Sequence, residues 1–92
     1  MRKHGSDRSG GSFSDATIEA VWRKGKVVPG VDGNVQRQDS FGAWMQRNLY
    51  GNTTDKKGWE VDHIHPVSKG GSDDLANLQP LQWENNRKKA DS

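Results

Sequence analysis

The chain of 92 residues contains no cysteine. This absence excludes disulfide bonds, and it also excludes a zinc site built on thiolates. Apolar residues are scarce as well, since only 29% of the chain is hydrophobic and the mean hydropathy is −1.07. No apolar run approaches the length of a membrane span, and the charged N-terminus lacks the apolar segment of a secretory signal. These absences favour a soluble protein of the cytoplasm.

The large apolar side chains that the chain does contain are mostly aromatic, with four Trp, two Phe and one Tyr. A chain of this length forms one small domain at most. We therefore expect a thin, aromatic-rich core of marginal stability. The Trp side chains are expected to be buried in this core and not to stack against nucleic-acid bases. The net charge of +2 permits nucleic-acid binding without demanding it.

The first part of the chain predicts a tail followed by a helix. Residues 1–12 are rich in Gly, Ser and charge, and they predict a flexible basic tail. From Ser14 to Lys24 a short amphipathic helix is predicted, because Ile18, Val21 and Trp22 recur at helical spacing. The folded domain is therefore expected to cover residues 13–92.

The middle of the chain predicts a connector and a hairpin. Residues 26–34 contain two turn signals, and we expect Val27 or Val28 to pack inward. The stretch Asp39–Gly42 is typical of a type I turn that closes on a left-handed Gly. A hairpin around this turn is favoured, although the residues after the turn also have helix propensity. The predicted strands lie near residues 35–38 and 43–47.

The second half of the chain predicts the order strand, long loop, strand and helix. A β-prone run spans Trp59–Ile64, and a polar turn region spans Ser68–Asp74. Residues 77–81 can form a short returning strand, in which Pro80 indicates either an edge strand or the end of the strand. A helix is plausible from Gln82 through Lys89. This order predicts a ββα unit in a small α+β protein.

Several side chains of this unit are suited to phosphodiester chemistry. Asp62 offers a hard anionic oxygen for a divalent cation such as Mg²⁺, and a helix packed across the strands can add an oxygen from Asn86. Two protein ligands leave room for water and phosphate oxygens, as hydrolytic sites require. His63 beside the first ligand is then the natural general base.

Other polar residues of the unit are candidates for supporting roles. Asn77, facing His63 from the returning strand, could fix the geometry of His63 by hydrogen bonding to nearby backbone. His65 lies on the same strand face as His63 by alternation, so it either supports the metal or a phosphate or is an exposed, uncommitted His. The basic side chains of Arg87, Lys88 and Lys89 would lie beside the site, where phosphates would need neutralising.

The residue types and their spacing together resemble the HNH endonucleases, whose fold is the ββα-metal (His-Me finger) motif. The resemblance covers roughly Trp59 to Asp91, with a ββα core expected at about residues 58–91 and a single HNH nuclease domain over residues 13–92. The matching positions are Asp62-His63-Ile64, Pro66, Gly70-Gly71, Asn77-Leu78, Asn86 and Lys89.

The resemblance implies a role for each matching residue. Asp62 and Asn86 correspond to metal ligands, His63 to the general base, Asn77 to the residue that orients this base, and Lys89 to a basic position near the phosphate backbone. The implied activity is divalent-metal-dependent hydrolysis of DNA that leaves a 5′ phosphate. One ion is expected, with Mg²⁺ favoured and Mn²⁺, Ni²⁺ or Zn²⁺ as alternatives. DNA is the expected partner, and a homodimer is possible but not indicated.

One departure from the family is informative. Many HNH proteins flank the site with two Cys-x-x-Cys pairs that bind a structural zinc, and none of the corresponding positions here can supply a thiolate. These positions are Gln38, Phe41, Gln82 and Asn85. The chain therefore resembles a zinc-less branch, in which Phe41, Trp44 and Trp83 are expected to replace the metal by packing.

A catalytically inactive binding module on the same scaffold is the alternative to an enzyme. Such a module would bind DNA or protein without cutting. The presence of Asp62, His63, Asn77 and Asn86 together argues against a decayed site, because a binding module does not need all of them. A toxin nuclease would share the chemistry and differ in its biology.

Overall fold

The computed structural model describes residues 4–90, which form a small α+β structure with two helices and two antiparallel two-stranded sheets. This confirms the predicted α+β class. The elements are α1 (Asp15–Trp22), β1 (Gln36–Gln38), β2 (Trp44–Gln46), β3 (Trp59–His63), β4 (Leu78–Gln82) and α2 (Trp83–Ala90), with short 3₁₀ segments at Arg47–Leu49, Val67–Lys69 and Leu75–Asn77. Neither helix within residues 4–90 has the length and apolar character needed to cross a membrane.

Helix α1 begins with a side-chain cap, and its last two residues are buried. The Oγ of Ser14 accepts a hydrogen bond from the backbone N–H of Thr17 at 3.2 Å, which satisfies one of the free donors of the first turn. At the other end Val21 and Trp22 are buried. The predicted amphipathic helix is therefore present, with its regular part ending before Lys24.

The predicted hairpin is also present. Strands β1 and β2 pair antiparallel with Arg37 opposite Met45, and the turn closes with a 3.0 Å bond from Gly42 N–H to the carbonyl of Asp39. Gly42 has a φ of +85°, a conformation that favours Gly. Of the two valines of which one was expected to pack inward, Val28 is half-buried, whereas Val27 is 53% exposed. The reason is that the connector bonds to the outer edge of β1 through its backbone.

Strands β3 and β4 form the second sheet, in which Asp62 lies opposite Gln79 and Val61 opposite Pro80. Because side chains alternate along a strand, Val61 enters the core while Asp62 faces α2. The core combines this sheet with α1 and β2, and Trp22 and Trp59 meet there with ring centroids 5.2 Å apart. The buried apolar residues are Val21, Trp22, Met45, Trp59, Val61, Leu78 and Leu81.

A buried carboxylate joins the hairpin to the start of α2. Asp39 is 2% exposed. Its Oδ1 accepts from the N–H groups of Phe41 and Ala43 at 3.0 and 2.9 Å. Its Oδ2 accepts from the Gln82 N–H at 3.0 Å and from the Asn85 Nδ2 at 2.9 Å. We call this arrangement the Asp39 clamp.

The expectation that aromatic packing replaces zinc is wrong for Phe41, whereas Trp44 and Trp83 are half-buried. Phe41 is 67% exposed, so it does not fill the position of a metal. The clamp joins the same two chain segments that carry the four positions where zinc-binding members have Cys. A carboxylate can do this because it has about four acceptor sites, each of which takes one N–H.

The N-terminal segment, residues 4–13, lies over the second sheet. A turn forms around Asp7, whose Oδ1 accepts from the N–H groups of Ser9 and Gly11 at 3.0 and 2.8 Å. Ser6 is buried, and the Cβ position of Gly5 approaches the Glu60 side chain. Residues 1–3 of the predicted flexible tail lie outside the described part of the chain, whereas the rest of it makes specific contacts.

Candidate active site

Asp62 lies near the end of β3 with its side chain toward α2. The residue is 8% exposed, and its Oδ2 accepts from Gln79 Nε2 at 2.9 Å. The Lys89 Nζ lies 3.3 Å from the same oxygen and donates to the His63 carbonyl at 2.9 Å. The other oxygen, Oδ1, has no hydrogen bond within residues 4–90. Asp62 therefore keeps one oxygen for a further ligand.

Asn86 lies on α2 and is 4% exposed. Its Nδ2 donates to Glu60 Oε1 at 2.9 Å, while Arg87 forms an ion pair with the other Glu60 oxygen at 3.2 Å. Because the amide nitrogen is committed to Glu60, the amide oxygen is the atom that Asn86 can offer to a cation. Glu60 was not singled out from the sequence. The available signal was its two-residue offset from Asp62, which places both carboxylates on the face of β3 that α2 covers.

The donor atoms of Asp62 and Asn86 fit a divalent ion of the Mg²⁺ type. A carboxylate oxygen and an amide oxygen are both hard ligands. Within the described residues, no group of three or more His, Cys, Asp or Glu side chains could hold a metal. A cation at this position would therefore keep water in much of its coordination sphere, as Mg²⁺ usually does in enzymes.

His63 is the last residue of β3 and is 3% exposed. Its Nε2 lies 2.7 Å from Oδ1 of Asp73, in the loop between the strands. The ring of Phe13 packs against it, with ring centroids 5.9 Å apart. The predicted base is thus covered by the N-terminal segment and paired with a carboxylate that the sequence did not indicate.

Asn77 fixes the chain that follows His63. Its Oδ1 accepts from the His65 N–H at 2.8 Å, and its Nδ2 donates to the carbonyls of His65 at 3.1 Å and Ser72 at 2.7 Å. These bonds tie the end of β3 to the loop and to the start of β4. Gly71 is required in the same loop because a Cβ there would lie 1.8 Å from the His65 carbonyl oxygen.

The remaining predicted site residues differ in their surroundings. His65 is exposed, and its Nε2 lies 2.8 Å from the Lys69 carbonyl, so this nitrogen carries the hydrogen and the ring stabilises the loop. In the basic cluster, Arg87 pairs with Glu60 and Lys89 with Asp62, whereas Lys88 is exposed. The structure therefore brings Lys89 to the candidate metal ligand and leaves Lys88 at the surface.

A tyrosine beside this region has a perturbed pKa. Burial raises the pKa of Tyr50, and the negative charge of Glu60 adds to this effect. The Tyr50 ring packs on Trp59 with centroids 5.0 Å apart. The phenol is therefore held in its neutral form beside the sheet.

The elements that carry these side chains also match a known protein family. Residues 51–92 match the family model described as HNH endonuclease, a match that includes β3, the loop, β4 and α2. Over these residues the chain therefore has the pattern of a nuclease class. The match confirms the resemblance to the HNH endonucleases that was seen in the sequence, and the chain contains no Cys that could bind zinc. Neither the curated proteins nor the solved structures contain a match to the chain.

Proposed function

We propose that this protein is a divalent-metal-dependent endonuclease that hydrolyses DNA phosphodiester bonds. The observation that carries the proposal is the junction of β3 and α2. There Asp62 and Asn86 each direct one polar atom to a neighbour and retain one oxygen. His63 follows Asp62 in β3. The match of residues 51–92 to the HNH endonucleases supports the same reading.

In the proposed mechanism His63 accepts a proton from a water molecule as that water attacks phosphorus. The bond from phosphorus to the 3′ oxygen breaks, which leaves a 5′ phosphate. Asp62 and Asn86 would hold the divalent ion, which supplies stabilisation of negative charge on the phosphate and the leaving oxygen. Asn77 acts by holding the backbone after β3, and Lys88 and Lys89 offer positive charge to the DNA backbone.

The mechanism requires two rearrangements of the structure. His63 is 3% exposed and Phe13 packs on its ring, so DNA reaches the base only after the Phe13 side chain moves off the ring. Lys89 must also give up its contact with Asp62 when an ion binds there. The His63 ring and the Lys89 ammonium group would then be available to contact the substrate.

A plasmid-nicking assay tests the proposal. The full-length protein is incubated with supercoiled DNA and Mg²⁺, Mn²⁺ or Ni²⁺, with and without EDTA. Cleavage is expected only with metal, and His63→Ala is expected to reduce its rate by at least about 100-fold. The matched control is His4→Ala, which changes an exposed His at the start of the described chain. A correctly folded His63→Ala protein that cuts at the wild-type rate would refute the assignment of the base.

The burial of the site favours one second candidate, a DNA- or protein-binding module that does not cut. Asp62, His63 and Asn86 are all nearly buried, and each has a partner in the structure. A module of this kind would retain DNA in a gel-shift assay with EDTA and would show no cleavage with any of the three metals. Metal-dependent nicking excludes it.

A further inference from the structure

Asp73 is the side chain that contacts the ring of His63 most closely. The distance from His63 Nε2 to Asp73 Oδ1 is 2.7 Å, and the His63 ring is almost fully buried. A carboxylate oxygen only accepts hydrogen bonds, so the ring nitrogen that faces it must carry the hydrogen. In the neutral imidazole this leaves the lone pair on Nδ1.

Asp73 is itself held in place from another part of the chain. The backbone N–H of Arg8 donates to Oδ1 at 3.0 Å and to Oδ2 at 3.2 Å. Both of these bonds require acceptor oxygens, which the Asp73 side chain supplies. The preceding residue, Ser72, is fixed through its carbonyl by Asn77. The carboxylate is therefore positioned by the N-terminal segment on one side and by the loop on the other.

We propose that Asp73 is a positioning residue that fixes the Nε2–H tautomer of His63, with Arg8 holding Asp73 through its backbone. This inference rests on the proposed function, because it names Nδ1 as the atom that takes the proton. When water transfers its proton to Nδ1, both ring nitrogens carry hydrogens and the positive imidazolium faces a carboxylate at 2.7 Å. Without Asp73 the ring is free to rotate or to place its hydrogen on Nδ1, where it would block proton transfer.

The tautomer can be read directly by NMR without DNA or metal. Long-range ¹H–¹⁵N correlations of the imidazole rings distinguish Nε2–H from Nδ1–H in ¹⁵N-labelled full-length protein, at a pH where the rings are neutral. His65 is an internal reference, because its Nε2–H faces the Lys69 carbonyl. We expect His63 to be an Nε2–H tautomer in the wild type and a mixture of tautomers in Asp73→Ala.

Two further variants sharpen the experiment. Asp73→Asn keeps an oxygen that can accept from His63 and from Arg8, so we expect it to retain the Nε2–H tautomer. This variant also provides a comparison with the wild type if Asp73→Ala does not fold. The matched control is Asp74→Ala, which removes the neighbouring exposed carboxylate. The Asp74 side chain makes no capping hydrogen bond to the 3₁₀ turn that follows it. We expect Asp74→Ala to leave the His63 tautomer unchanged.

Cleavage kinetics provide the second measurement. For Asp73→Ala we expect kcat to fall by about 10- to 100-fold, as is usual for residues that orient a reactive His, with little change in KM. Asp73→Asn should lose less. A wild-type His63 that is mainly Nδ1–H, or an Asp73→Ala protein with unchanged tautomer and kcat, would overturn the inference. If the wild type does not cut DNA but shows the expected tautomers, the positioning holds and the proposed function fails.

Discussion

Replacing Asp39 with Ala should remove the connection between the hairpin and α2. In the folded protein Asp39 accepts four hydrogen bonds and is 2% exposed. The hydrogen bonds from Phe41 and Ala43 are only partly buried, so water can replace the carboxylate there. The N–H of Gln82 lies on a buried residue and loses its partner in the variant.

The size of the effect follows from the groups left without a partner. Hydrogen bonds to charged groups contribute about 1.5–3 kcal/mol, and an unpaired buried donor costs about 1–3 kcal/mol. Counting Gln82 and Asn85 alone, we expect Asp39→Ala to lose about 3–4 kcal/mol of unfolding free energy. For a chain of this length this is a large part of the total, which is roughly 5–10 kcal/mol. The melting temperature should fall by on the order of 15–30 °C.

Urea denaturation followed by Trp fluorescence measures this loss, because two Trp side chains lie in the core. The matched control is Asp32→Ala, since Asp32 is exposed and accepts from the Asn34 N–H in a similar turn. The control should lose less than about 1 kcal/mol. If Asp39→Ala is no less stable than Asp32→Ala, the clamp does not replace the stabilising role of zinc, and our reasoning is refuted.

Three further changes test other parts of the structure. Tyr50 is the only Tyr, and burial raises its pKa above the ordinary value of 10.0, so the stability it contributes should be complete below pH 10.0 and lost as the pH rises through the raised pKa. Phenolate absorbance and urea titrations measure this, and Tyr50→Phe should reduce the loss. Gly71→Ala should destabilise the fold by about 3 kcal/mol or more in thermal melts, because its Cβ would overlap the His65 carbonyl. In contrast, Phe41→Ala should change stability by less than about 0.5 kcal/mol, since Phe41 is 67% exposed; a larger loss would contradict its exposed position.

Local patterns in the sequence determined where the elements lie. The helical spacing of Ile18, Val21 and Trp22 located α1, and the turn chemistry of Asp39–Gly42 located the hairpin. Both signals depend on residues close together in the chain, which is why they can be read without tertiary structure. The spacing of the HNH residues likewise identified the family that residues 51–92 match.

Only the tertiary structure decided which polar groups meet. Asp39 bonds to Gln82 across 43 residues, and Asp73 bonds to Arg8 across 65. In the sequence both acids are ordinary turn residues, and their local pattern holds no information about such distant partners. Burial away from water requires each N–H to find an acceptor, and the folded chain supplies these two carboxylates. Sequence therefore determined the elements and the candidate chemistry, whereas packing determined the contacts that hold α2 and surround His63.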